Sequence, residues 1–182
     1  MRHGETEWSR DLKHTSTTDV PLTAEGERQA EALRPVLGRH AFAHVYSSPL
    51  RRALDTARLA GFGDRVETAD ELIEFRYGEY EGRTTAEIRA ERPDWDLWRD
   101  GCPGGETVAD VGARVGRFLD LVGEPEGDVL AFAHNHVLRV LTARYLGLPP
   151  QDGRLWSLDT CGTGVLGHER ERRVIRMWNL TS

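Results

Sequence analysis

Residues 128–147 read DVLAFAHNHVLRVLTARYLG. An apolar run of strand length ends at His134, and from about Asn135 the apolar spacing becomes helical until Gly147, ahead of Pro149 and Pro150. A buried strand that runs straight into a helix is a building block of α/β architecture. A histidine at such a junction sits at the carboxyl end of its strand, beside the N–H groups of a helix N-terminus. That is a good place to meet an anion.

The same alternation continues on either side. Residues 23–39 read as a helix opened by Thr23, with Pro35 kinking or shortening its end. AHVYSS (43–48) is a short strand, after which Ser48-Pro49 supplies an N-cap and a first-position proline for a helix to about Ala60. Thr84 and Glu87 form a capping box for a helix ending before Pro93. Val108, Val111, Val115, Phe118 and Val122 keep helical spacing across 106–122, and two strands follow near 161–167 and 173–178. The pattern predicts a three-layer α/β/α fold with a mostly parallel central sheet, whose ligands bind beyond the carboxyl ends of the strands.

With 182 residues and no repeat, low-complexity tract or linker, the chain reads as a single domain, residues 1–182. Its 38% hydrophobic and 30% charged content is that of a globular protein. No apolar run has the length of a membrane span, and the polar start does not resemble a secretory signal. Cys102 and Cys161 lack CxxC spacing and read as free thiols in a reducing cytoplasm. A net charge of −6 argues against nucleic acid and anionic membranes as partners. Lys13 is the only lysine against 23 arginines, a bias expected of a GC-rich genome.

Arg51 and Arg52 fall in the first turn of a predicted helix, where a cation opposes the helix dipole, so a bound anion is the expected explanation. RHGETEW (2–8) alone would pass for a charged tail, but together with SSPLRRALDTA (47–57) and AHNH (133–136) it suggests an anion site. The HNH string at 134–136 is set aside as a nuclease motif, since that motif is dispersed and metal-bound and this protein is acidic.

These stretches, with DVPLTAEGERQA (19–30), ELIEFRYGEYEG (71–82), PGGET (103–107) and the closing WN (178–179), occur in the order found in the histidine phosphatases. The chain resembles that superfamily over nearly its whole length, which implies a phosphoglycerate mutase-like fold. The resemblance implies His3 as nucleophile, Glu74 as proton donor and acceptor, and His134 as the second histidine. It places Arg2 and Arg52 on the phosphate, with Ser9, Thr15 and Asn135 nearby. Ser9, Ser16 and Asn135 stand where asparagine, glycine and glycine are commoner. Two arginine forks with a protonated His134 would supply the positive charge, so neither a metal nor another cofactor is expected.

The implied activity is hydrolysis of small phosphomonoesters through a phosphohistidine. A cofactor-dependent phosphoglycerate mutase is the alternative, disfavoured because the 74–134 interval is compact and lacks the extra arginines of the mutase insertion. A non-catalytic phospholigand-binding relative is the other, and a homo-oligomer is compatible with either. His14, His40, His44, His136 and His168 read as surface or packing residues, and Glu71, Glu79 and Glu81 as solvated. Trp95 and Trp98, just before RDGCPGGET, read as either core residues or a lid over the substrate. In this family a buried apolar strand delivers the histidine to the sheet edge. Only Met1 and Arg2 precede His3 here, so the reading frame is expected to continue upstream with an apolar run ending at Met1.

Overall fold

A computed structural model describes residues 1–181. Its elements are α1 (Glu7–Arg10), α2 (Ala24–Ala32), α3 (Arg34–Leu37), β1 (Phe42–Ser47), α4 (Arg51–Ala57), β2 (Val66–Thr68), α5 (Thr85–Glu91), α6 (Leu97–Asp100), α7 (Val108–Val122), β3 (Asp128–Phe132), α8 (Asn135–Tyr145), β4 (Thr163–Glu169) and β5 (Arg172–Leu180). The strands β2, β1 and β3 form a parallel sheet in that order, while β4 and β5 pair as an antiparallel hairpin. Residues 1–3 lie between the end of β3 and residues 161–162. Arg2 bridges Ala133 in parallel, and the His3 N–H donates to the Ala133 carbonyl at 3.0 Å. On the other side the Arg2 N–H donates to the Gly162 carbonyl and the Cys161 N–H to the His3 carbonyl, both at 3.1 Å.

Alternation along the strands builds the three layers. Val45, Leu130 and Phe132 join Met1, Ala30, Leu33, Leu37, Ala57 and Phe62 on one face. Tyr46, Ala131 and Ala133 join Val111, Val115, Phe118, Val137 and Val140, from α7 and α8, on the other. Val108, Val111, Val115 and Phe118 of α7 are all buried, as their spacing predicts, each contributing about 1.5–3 kcal/mol. Among the described residues no helix is long and apolar enough to cross a membrane.

Two expected helices differ in detail. The 23–39 helix is split into α2 and α3, with Pro35, which has no N–H to continue the ladder, in the first turn of α3. The expected N-cap at Ser48 is wrong by two residues, since Leu50 holds that position and α4 starts at Arg51. The carboxylate of Asp19 accepts the Arg51 N–H at 2.8 Å, and the Ser48 hydroxyl instead meets His134. The Thr23 cap and the Thr84–Glu87 capping box form as expected.

Candidate active site

The carboxyl ends of the parallel strands gather the chemistry. His3 follows the residue that bridges Ala133, His134 follows β3, and Ser48 follows β1. Gly4 lets this edge approach α2, because a Cβ there would lie 2.4 Å from the Gly26 carbonyl oxygen, and one on Gly26 would lie 2.1 Å from that of Glu5. No larger residue fits at either position. The cavity in front of His3 has a volume of about 970 Å³.

His3 is buried, with its Nδ1 2.7 Å from the Gly4 carbonyl oxygen. A carbonyl only accepts, so Nδ1 carries the hydrogen and Nε2 keeps its lone pair. Burial, then the charges of Arg52 and Arg2, hold the ring's pKa well below the usual histidine range. His3 is therefore neutral.

Arg52 is fully buried behind His3. Its Nη atoms donate to the carbonyls of Thr15 (3.2 Å), Ser16 (3.1 Å) and Thr18 (3.1 Å), and its Nε donates to His134 Nδ1 at 3.2 Å. Backbone carbonyls therefore balance this first-turn cation, where a bound anion was expected. His134 Nε2 then carries the hydrogen and donates to Ser48 Oγ at 2.8 Å. Burial and then Arg52 hold His134 well below its usual pKa, so it is not the third cation that the sequence suggested. Its ring meets that of His3 edge-on, 5.1 Å between centroids. Neither Arg52 nor His134 lines the cavity.

The loop that Arg52 grips is held from the other side by Glu81. Its carboxylate accepts the Ser16 N–H at 2.9 Å, the Thr18 N–H at 3.1 Å and the Ser16 hydroxyl at 2.5 Å. Glu81 is thus a half-buried structural anion and not a solvated one. Glu79, by contrast, is exposed as expected.

Glu74 is buried at the N-terminus of α8. Oε1 accepts the N–H groups of Phe75 (2.8 Å) and Val137 (2.9 Å), and Oε2 accepts that of His136 (3.0 Å). Three of roughly four lone-pair positions are thereby filled. The carboxylate lines the cavity with His3. So the helix terminus below His134 binds a carboxyl group that belongs to the protein, leaving its fourth position open.

Arg2, Ser9, Thr15 and Asn135 line the same cavity. Arg2 Nη1 donates to the Leu158 carbonyl at 2.7 Å, while its buried Nε and the buried Asn135 Oδ1 have no partner among the described residues. Two hydroxyls expected near the phosphate are otherwise engaged. Ser9 Oγ completes a capping box with Thr6, and Thr15 Oγ1 donates to the Lys13 carbonyl at 3.0 Å.

Sequence reasoning passed over three residues that line the cavity: His14, Tyr77 and His136. Tyr77 belongs to the quoted FRYG stretch and His136 to AHNH, but only the packing of α8 against residues 74–77 brings them together. No local signal marks His14. His40, His44 and His168 are exposed, as expected. Trp95 and Trp98 are not a lid. Both are buried in the core, Trp95 edge-on to His14 (5.7 Å between centroids) and Trp98 edge-on to His136 (5.5 Å). Among the described residues no three His, Cys, Asp or Glu side chains cluster in a way that could hold a metal ion.

Known proteins resemble this chain in sequence and in fold. Residues 1–181 match the model of the histidine phosphatase superfamily, branch 1. An acid phosphatase of Mycobacterium tuberculosis is 40% identical, the match covering all of this chain and 91% of that protein. A sedoheptulose 1,7-bisphosphatase of Saccharomyces cerevisiae is 36% identical over 83% of this chain and 68% of its own length. The solved structure of a Mycobacterium tuberculosis open reading frame product superimposes with a TM-score of 0.93 at 40% identity, covering 99% of this chain and 95% of that one.

Proposed function

Since the chain belongs to the histidine phosphatase superfamily, branch 1, we propose that it hydrolyses phosphomonoesters through a phosphohistidine on His3. The observation that carries this reading is the tautomer of His3. With Nδ1–H tied to the Gly4 carbonyl, the lone pair of Nε2 is free beside Arg2 and the cavity. In the first step Nε2 forms a bond to phosphorus as the ester P–O bond breaks, and the departing oxygen takes a proton from Glu74. In the second, a water gives a proton to Glu74 and attacks phosphorus. The N–P bond then breaks, returning its electron pair to His3 and releasing inorganic phosphate.

Arg2, which lines the cavity together with His3, is the cation that meets the phosphoryl oxygens directly. Arg52 acts from behind, keeping His3 neutral before attack and favouring the anionic phosphoenzyme afterwards. His134 passes the position of Arg52 on to Ser48. The cavity draws on residues from Arg2 to Thr160, which supports reading the chain as one catalytic domain. The acid phosphatase and bisphosphatase relatives, at 40% and 36% identity against 30% for the phosphoglycerate mutase relatives, support water as the acceptor over a second substrate hydroxyl, the mutase alternative.

Brief incubation with a ³²P-labelled phosphoester tests the proposal. The expected product is an acid-labile, base-stable protein adduct that is absent from His3→Ala and decays to inorganic phosphate. Full activity in His3→Ala, or transfer of label to glycerate phosphates in preference to water, would overturn it.

A further inference from the structure

His14 and His136 form a pair of histidines in the cavity, which the phosphoryl chemistry does not use. Their rings are parallel within 6°, with centroids 6.4 Å apart. His14 Nδ1 lies 2.8 Å from the Arg83 carbonyl oxygen and so carries the hydrogen. Its Nε2 is therefore an acceptor. His136 has the opposite arrangement. Its Nδ1 lies 2.6 Å from the hydroxyl of the buried Tyr77, which has no other partner among the described residues. Burial raises the Tyr77 pKa well above its usual value, so the phenol stays protonated and donates to Nδ1. The proton of His136 is thereby placed on Nε2, which becomes a donor.

Neither Nε2 has a protein partner, and neither is among the buried polar atoms that lack one, so both are open to the cavity that they line. One acceptor and one donor on a single wall match a hydroxyl group, which both donates and accepts. The packing fixes both rings. His14 sits edge-on to Tyr77 (4.7 Å between centroids) and to Trp95, and His136 sits edge-on to Trp98, itself covered by the Arg139 guanidinium. The pair also lies close to the proton-transfer group, because the backbone N–H of His136 donates to Glu74. An ester oxygen that leaves toward Glu74 therefore carries its neighbouring carbons toward His136.

We propose that His14 and His136 read a hydroxyl of the substrate as an acceptor–donor pair, making this enzyme selective for phosphate esters of sugars and other polyols. The inference rests on the phosphomonoesterase reading above and names its substrate class. A site built to bond a hydroxyl rejects the analogue that lacks it, because the site's own polar atoms are left unpaired.

The test measures kcat/KM for sn-glycerol 3-phosphate, propyl phosphate and 4-nitrophenyl phosphate in the wild type and in His14→Phe, His136→Phe and Tyr77→Phe. The wild type is expected to prefer the glycerol ester over the propyl ester by at least about tenfold. Each Phe variant should reduce that ratio several-fold, with most of the loss in the glycerol ester. Tyr77→Phe deletes only the hydroxyl that sets the His136 tautomer, so it serves where a histidine variant folds poorly. A wild-type ratio near one, or a high ratio unchanged in all three variants, overturns the inference while leaving the phosphatase reading intact. No turnover of 4-nitrophenyl phosphate by the wild type would overturn both.

Discussion

Arg52 Nε donates to His134 Nδ1 across 3.2 Å in the interior, and the rest of the same guanidinium holds three carbonyls of the 15–18 loop. One side chain thus sets the tautomer of a histidine and the shape of a cavity wall. Lysine offers a point charge and no fork, so it cannot replace those contacts. Arg52→Lys is expected to cost about 3–5 kcal/mol in urea unfolding, the range for a broken buried charged network, and to abolish most turnover. Wild-type stability in Arg52→Lys would show that the carbonyls find other donors.

Glu81 restrains the same loop from outside, and its variants should separate shape from charge. Glu81→Gln keeps one oxygen for the Ser16 and Thr18 N–H groups, and Ser16's hydroxyl can turn to accept from the new amide. Glu81→Ala leaves those groups unsatisfied, at about 1–3 kcal/mol each where water cannot reach. The alanine variant should therefore lose stability and raise KM, while the glutamine variant stays near wild type. Equal losses in both would indicate that the charge itself is needed.

Glu74→Gln places an amide against one of the N–H groups that the carboxylate now accepts. Turnover of propyl phosphate, whose alkoxide needs a proton to leave, is expected to fall about 10²–10⁴-fold. Turnover of 4-nitrophenyl phosphate, whose phenolate leaves unaided, should fall much less. Equal losses on the two esters would assign Glu74 to the structure of α8 alone.

Stability should fall on mild acidification. Burial holds His3, His134 and His136 well below the usual pKa of 6.5, and lowers His14 as well. Below about pH 6.5 the unfolded chain takes up these protons and the folded chain does not, so unfolding binds protons and stability rises with pH. This stabilisation is fully present above the unfolded pKa and is lost as pH falls toward the folded values. The slope is about 1.4 kcal/mol per pH unit for each such histidine. Urea midpoints between pH 7.5 and 5 should drop accordingly, with a shallower slope in His136→Phe. A flat profile would mean that the rings protonate while folded.

Much of the layout was legible in the chain itself. The change of apolar spacing at His134, the Thr84–Glu87 and Thr23 caps and the buried face of α7 depend on neighbours within a turn or two, so local sequence carries them. His3, Glu74 and Arg2 are singled out by the resemblance to the histidine phosphatases, and all three line one cavity.

What only the tertiary structure decided is which protons and hydroxyls are free. Ser9 looks available in sequence and Ser48 looks like a helix cap, yet Ser9 Oγ belongs to the α1 capping box and Ser48 Oγ accepts from His134. His14 and His136 look like surface or packing residues until the Arg83 carbonyl accepts the Nδ1–H of one and the Tyr77 hydroxyl donates to Nδ1 of the other. Hydrogen-bond partners 59 to 82 residues apart set these tautomers, through directional contacts at 2.6–3.2 Å that no local pattern encodes. Sequence therefore determined which chemical groups this protein possesses. The fold decided which of their lone pairs and protons face the cavity, because burial drives most of the others to find a partner inside.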